Sequence, residues 1–415
     1  MYLAYLTNFA SINGTLNIRK EQILEFSKNF EKIYFINSQN LHFFPNFAKK
    51  FNRGPTGEQY DKNNKIIHSL PRNIIFINPS DVNDFKNFIN NEKILIINNI
   101  GRGTFTLKIH YLIKKFNLKQ VYIDNLGSIG MTQKFTLKNI IKKIIFFLFT
   151  TLGKKLVPIL AFLNIISRIE VNFISNKKIL QGIKNHPIKN FLFKNKFLFS
   201  KEFKLVNSRS YDFYLKKKLN ISEKYIVHLD PEMNGNHEIE VRGRMDEKIV
   251  KKHYKNLRLF LKNLSKLYKK PVVVCKHPSI SQKEIKRFKK ANYFKDFKIT
   301  QFKTREYIYR AALITNFSTS AVIDAPILKK KIIGLWSNFL DENQIEHSKT
   351  YPREIGYPRI NYVKNINISK KKLEKMFKNS NKNCKKYISN FHCFNSKISG
   401  TDEIIKILKK RFKCK

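Results

Sequence analysis

Two polar clusters at the ends of apolar runs carry most of the chemical information in this chain. Pro271 to Cys275 reads Pro-Val-Val-Val-Cys, and Lys276-His277-Pro278 follows it directly. Further on, Ala312-Leu313-Ile314-Thr315-Asn316-Phe317 runs into Ser318-Thr319-Ser320. Proline fixes its own φ and biases the preceding residue away from helix, so the chain turns out of a strand at His277 and presents the imidazole at a sheet edge. An imidazole there can donate to a phosphate oxygen, and its cationic form would stabilise a leaving phosphate. Three small hydroxyls opening a helix cap orphan N–H groups. The same helix start, with free N–H groups and a positive dipole end, also attracts an anion, and one hydroxyl can cap while another binds. In an open α/β sheet, ligands bind outside the carboxyl ends of the strands. The pair of clusters therefore suits a nucleotide mono- or diphosphate.

The elements that must position these residues alternate along the chain. Residues 3–6, 32–36, 74–77, 94–98 and 120–123 are strand-like, with helical spacing over 19–30 and 104–116. The grammar repeats from 225–229, through a long amphipathic helix over 250–267, to strands at 272–276, 297–302, 312–315 and 331–335. Strands alternating with helices argue for right-handed βαβ units and a parallel sheet. The fold class expected is α/β: two Rossmann-like domains facing a cleft, with an inserted apolar helical segment. The boundaries expected are 1–206 for the first domain, 207–400 for the second and 401–415 for a C-terminal helix packing back as a strap. Asp324, one helical turn beyond the hydroxyls, is expected to support the turn or the ribose side.

The inserted segment is 135–171, where residues 144–152 are apolar, Lys154-Lys155 interrupts, and 156–166 is apolar again. Neither run reaches the ~20 residues needed to span a bilayer. Two readings stand: buried helices covering the sheet, or an interfacial segment with Lys138, Lys142, Lys143, Lys154 and Lys155 at anionic headgroups.

Composition sets wider bounds. At 415 residues the chain favours two domains, and 42% hydrophobic content supplies the cores. A formal charge of +51 would point to nucleic acid, but the lysines are spread over every segment instead of forming one basic stripe, so no nucleic-acid partner is expected. Cys275, Cys384, Cys393 and Cys414 form no CxxC pair and have no His at zinc-ligand spacing. A reduced compartment, no metal site and no cofactor are expected. Residues 1–6 read as a first strand and not as a signal peptide, so a cytoplasmic location follows, with the inner membrane face as a contact surface. His186-Pro187 has no β-run before it and reads as a plain turn. Gly101-Arg102-Gly103 lacks the GxGxxG context.

The series Lys276-His277-Pro278, then residues 312–324, then Lys330-Lys331-Ile332-Ile333, resembles the C-terminal domain of bacterial surface-polysaccharide glycosyltransferases. It is similar in particular to the polysialyltransferase and capsule-transferase group with its HP and S-S/T motifs, and more distantly to the glycerophosphotransferases of teichoic acid synthesis. Residues 225–231, a strand and an acidic turn, fit the first strand of that domain. The resemblance covers roughly the C-terminal half. It implies a GT-B fold in which Lys276, His277, Pro278, Ser318, Thr319 and Ser320 hold a nucleotide, often CMP, with His277 also catalytic. The group carries an acidic pair before a glycine as general base. Its nearest match is Asp124-Asn125-Leu126-Gly127, which departs by Asn125 and by the intervening Leu126. Asp124 is then the base candidate, with a turn-closing role as the other reading. Glu232, His237 and Glu238 stand in reserve.

The function expected is metal-independent transfer of a sugar from a nucleotide-sugar donor, a CMP-sugar favoured, to a surface glycan or lipid-linked acceptor in capsule or lipopolysaccharide synthesis. A CDP-polyol phosphotransferase of the teichoic-acid type would use the same motifs. A non-enzymatic protein binding nucleic acid or an anionic surface would need segregated basic residues, and a GT-B epimerase more carboxylates than the sequence supplies.

Overall fold

The computed structural model describes residues 1–7, 12–43, 70–100, 106–124, 152–178, 180–181, 199–215, 222–231, 246–276, 286, 288–301, 303–317, 319–340, 342–378, 381–392 and 397–414. They divide into two compact units. The first takes the described residues up to Asp212 together with 397–414, and the second those from Phe213 to His392.

Unit one is a seven-stranded sheet, all of whose strand pairs are parallel. In chain order it comprises β1 (Tyr2–Thr7), α1 (Ile12–Asn29), β2 (Ile33–Asn37), β3 (Ile74–Ile77), α2 (Val82–Asn91), β4 (Ile94–Asn99), α3 (Leu107–Lys115), β5 (Lys119–Asp124), α4 (Leu152–Phe162), β6 (Ile169–Ile174), β7 (Ser200–Leu205) and α5 (Arg209–Leu215), the last crossing into unit two. The strand order is β3-β2-β1-β4-β5-β6-β7. Both faces of such a sheet are covered, which is why its strands are nearly continuous apolar runs. Leu3 and Tyr5 pack on one side with Ile23 and Phe26 of α1, and Ala4 and Leu6 on the other with Phe85, Ile109 and Leu112. The segment expected to be helical up to residue 171 instead enters the sheet at Ile169, because Ile169, Val171 and Phe173 fill core positions as β6. No helix among the described residues is long and apolar enough to cross a membrane.

Unit two repeats the plan with six parallel strands: β8 (Tyr225–Asp230), α6 (Glu247–Tyr268), β9 (Val272–Lys276), β10 (Lys298–Thr300), α7 (Thr304–Tyr309), β11 (Ala311–Asn316), the 3-10 helix Ser320–Leu328, β12 (Lys331–Trp336), α8 (Glu342–Ile355), β13 (Arg359–Asn361), α9 (Lys370–Lys378) and α10 (Asn381–Phe391). The order is β10-β9-β8-β11-β12-β13. In α6, Asp246 caps the first turn by accepting from Lys248 N–H, and Val250, His253, Tyr254, Leu257, Phe260, Leu261 and Leu264 form one buried stripe at helical spacing.

A final helix, α11 (Gly400–Phe412), packs Ile404, Ile405, Leu408 and Phe412 into the core of unit one. Its N-terminus sits on Asp212, which accepts from Gly400 N–H, Thr401 N–H and the Thr401 hydroxyl at 2.8 Å each. Gly400 admits no side chain: a Cβ would lie 2.1 Å from the Asn207 carbonyl oxygen.

Candidate functional site

In both sheets the direction of strand addition reverses next to the first strand, between β1 and β4 and between β8 and β11. A reversal of this kind opens a crevice at the carboxyl edge, and it is where doubly wound folds bind ligands. In unit two the residues at that edge are Asp230 of β8, Lys276 of β9 and Asn316 of β11.

Asp230 and Lys276 are registered partners on adjacent strands, and the Lys276 ammonium donates to the Asp230 carboxylate at 2.6 Å with both side chains 1% exposed. Such a pair must recover a large desolvation cost through good geometry and further contacts. Tyr254 donates to the other Asp230 oxygen at 3.4 Å, and the Lys276 ammonium lies 2.9 Å from the centre of the Phe288 ring. The sequence reading gave Lys276 to the donor phosphates. Here its charge is turned into the domain, where it ties the end of β9 to the end of β8.

Beneath this pair lie two buried histidines. His228 Nδ1 meets the Thr315 hydroxyl at 2.9 Å, again between registered strand partners. His253 Nδ1 meets the Tyr362 hydroxyl at 2.7 Å, and Tyr362 donates onward to Ser337 at 3.1 Å. Both Nε2 atoms are buried and find no hydrogen-bonding partner among the described residues. Burial pushes the His228 ring down to about 4 and the His253 ring down to about 3, with Asp230 opposing in each case. Phe317 packs against both rings. Cys275 is no nucleophile at neutral pH, since burial pushes its thiol up to about 12.

The second cluster is organised by Asn316. Its Oδ1 accepts from Thr319 N–H at 3.0 Å and from the Thr319 hydroxyl at 2.8 Å, while its Nδ2 donates to Tyr357 at 3.2 Å. This Asx-type turn carries the chain out of β11. The Thr319 hydroxyl is engaged there and makes no cap hydrogen bond to the helix that follows. The helix expected after the hydroxyls is present and is a 3-10 helix, a form in keeping with Pro326, which offers no N–H and would clash with an α-type preceding turn. Ser320 is exposed at its first position. Asp324 accepts from Arg305 Nε at 3.0 Å and from Tyr214 at 3.5 Å, and so holds the 3-10 helix in place.

In unit one, Asp124 ends β5 half-buried, with no ion pair among the described residues. The strand end is held by buried Arg19, which donates to the Ile123 carbonyl at 2.7 Å and to Gln22 Oε1 at 3.0 Å. His277, Pro278 and Ser318, and the reserve candidates Glu232, His237 and Glu238, lie outside the described residues. The described residues beside them in the sequence are Lys276 before His277, Pro231 before Glu232, and Phe317 and Thr319 on either side of Ser318. Sequence reasoning missed Asp230, His228, His253 and Asn316 as a connected group. The available signal was a polar residue at the same depth in neighbouring apolar runs. Among the described residues no three His, Cys, Asp or Glu side chains gather as a metal-ion site.

No protein-family model matches the chain, and no curated protein matches it either. Its fold is nevertheless that of solved enzymes. UDP-GlcNAc 2-epimerase from Methanocaldococcus jannaschii aligns over 99% of both chains at 16% identity and a TM-score of 0.51. The wall teichoic acid polymerase TagF aligns over 99% of this chain and 89% of its own at 13% identity and a TM-score of 0.53. A form of TagF soaked with CDPG gives 0.52 at 11% identity over 99% and 88%. At these identities the likeness is one of fold, and with the two parallel sheets it makes this chain a two-domain α/β protein of the GT-B type.

Proposed function

We propose that this protein is a glycosyltransferase that moves a sugar from a nucleotide-activated donor, a CMP-sugar in first place, to a surface glycan or lipid-linked acceptor. The observation that carries the reading is the reversal point of unit two, where the Asp230–Lys276 pair and the Asn316–Thr319 hydrogen bonds fix the strand ends that adjoin His277 and Ser318 in the sequence. Those strand ends lie at the edge where a doubly wound fold takes a nucleotide. In this reading His277 and Ser318 contact the donor phosphate, Ser320 offers a hydroxyl at the exposed helix start, and Lys276 acts from below as a positioning residue. Asp124 in unit one takes the proton of the acceptor hydroxyl as the new C–O bond forms and the anomeric C–O bond to the phosphate breaks, releasing the nucleoside monophosphate.

A second reading, transfer of a polyol phosphate from a CDP-activated donor, is favoured by the fold shared with the teichoic acid polymerase. It uses the same nucleotide site and also releases CMP, but the group transferred is a polyol phosphate and the bond broken is the P–O bond of the diphosphate bridge. Titration calorimetry with CMP, CDP, UDP and GDP tests the common core of both readings. A cytidine nucleotide is expected to bind best, and His277→Ala to weaken it by about 1–3 kcal/mol, the scale of a lost charge-assisted hydrogen bond. Binding of none of the four overturns both readings. Radiolabelled CMP-sugar and CDP-glycerol offered side by side to a lipid-linked acceptor then separate them.

A further inference from the structure

The end of α4 is where unit one leaves apolar side chains together in water. Four of the ten large hydrophobic residues exposed among the described residues lie there: Ile159, Phe162, Leu163 and Ile165, exposed by 39%, 56%, 60% and 50%. The helix is anchored on its other side, where Val157 and Ala161 are fully buried against Ile166, Ile169 and Phe199. It stops through a left-handed Asn164 (φ 59°), with Asn164 N–H donating to the Ala161 carbonyl and Ile165 N–H to the Leu160 carbonyl. In this closure the apolar residue after the left-handed position ordinarily packs back on the last turn. Ile165 instead stays half exposed beside Leu163. Isolated exposed hydrophobics are ordinary, but a cluster on one protruding turn marks a contact surface.

The charge around the tip says which kind of surface it meets. The Lys114 ammonium of α3 donates to Asn164 Oδ1 at 2.6 Å, and Ser167 N–H donates to the His110 carbonyl, so α3 is fixed beside the tip. Tyr111, Lys114 and Lys115 are exposed on α3. In the sequence of the two described stretches that meet here, 106–118 and 152–168, there is no acidic residue, against Lys108, Lys114, Lys115 and Arg168 among the basic ones. A stable second copy would need roughly 800 Å² of each partner, far more than one helix end offers. A bilayer needs only a few apolar side chains to reach the acyl boundary and cations to sit at the phosphates. We propose that the tip of α4 and the exposed residues of α3 form a docking surface for an anionic lipid bilayer. It stands independently of the donor reading.

The test is sedimentation of the full chain with phosphatidylcholine vesicles, with and without phosphatidylglycerol. Sedimentation with the phosphatidylglycerol vesicles alone, released by high salt, is expected. Phe162→Ser/Leu163→Ser/Ile165→Ser should lower vesicle binding about tenfold or more, with urea unfolding and CMP binding unchanged. Lys114→Glu/Lys115→Glu should weaken it in the same direction. Phe162→Trp preserves the apolar surface and reports by fluorescence: a blue shift on adding phosphatidylglycerol vesicles is expected, and this readout decides the matter where the triple variant does not fold. Absence of sedimentation, wild-type binding by a folded triple variant, or an unmoved emission from the Phe162→Trp variant overturns the proposal. So does a change of the triple variant from dimer to monomer with lipid binding intact, which would assign the face to a second copy.

Discussion

Lys276 and Asp230 face each other from registered positions on parallel neighbours, 2.6 Å apart and shut off from water. Cutting either one removes the opposite charge that the other faces inside the domain. Lys276→Met and Asp230→Leu should each cost about 3–5 kcal/mol of folding stability, and the double variant should recover most of that. Urea unfolding of the three variants measures it. Purely additive losses would show that the charges are not coupled.

His228 and His253 are among the buried histidines that make folding sensitive to acid. Their folded-state values lie below the ~6.5 of an exposed imidazole, so as pH falls the unfolded chain takes up the protons first. Stability is therefore fully present above about 6.5 and is lost on acidification toward about 4 for His228 and about 3 for His253. Each ring should remove about 1.4 kcal/mol per pH unit within its window. Thermal unfolding between pH 7 and pH 4 measures the slope, and His253→Gln should reduce it.

Asn316 is expected to act on the turn and on the nucleotide together. Asn316→Ala deletes three hydrogen bonds of the turn and should lower stability by about 1–3 kcal/mol. Nucleotide affinity should fall as well, because Thr319 and the helix start at Ser320 lose the bonds that hold them to β11. A destabilised variant with unchanged affinity for CMP would detach this turn from the donor site.

Asp124→Asn tests the base assignment. The expected outcome is a drop in transfer of about 10²–10⁴-fold, the usual contribution of a positioned base, with CMP affinity unchanged. Near-normal transfer would send the role to Glu232, His237 or Glu238, and loss of folding would return Asp124 to its turn.

Gly400→Ala should be among the most damaging single substitutions in the chain, since its Cβ has a backbone oxygen and not a flexible side chain in its path. Overpacking costs typically about 1–3 kcal/mol, and a backbone obstacle places the expected value at the upper end. Circular dichroism melting checks it.

Most strands that were legible in the sequence are written as continuous apolar runs: β1 to β5, β8, β9, β11 and β12 fall within a few residues of where the pattern puts them, and so does β10, a short edge strand with Lys298 exposed. β7 was missed because Ser200–Leu205 is an edge strand carrying Lys201, Glu202 and Lys204, and β13 because three residues give no period. β6 was hidden by the apolar stretch before it, since a short apolar run does not separate a buried strand from a buried helix. At the site, position along a strand was readable and partnership between strands was not. That Lys276 meets Asp230 depends on β8 and β9 being neighbours in this register. The turn after β11 could have been anticipated from Asn316, three residues before Thr319, had the hydroxyls not drawn attention to themselves.

The seating of Gly400 and Thr401 on Asp212 bears on the order in which the molecule can assemble. Unit one borrows its closing helix from a stretch 188 residues further along than the carboxylate that receives it. A ribosome therefore delivers all of unit two before the sheet of unit one can be sealed. In the interval the flank of α1 that presents Ile23 and Phe26 has no Leu408 or Phe412 to lie against. The second unit to be synthesised is thus the first that can finish folding, and a nascent chain halted ahead of Gly400 should be open to protease in its oldest part and resistant in its newest.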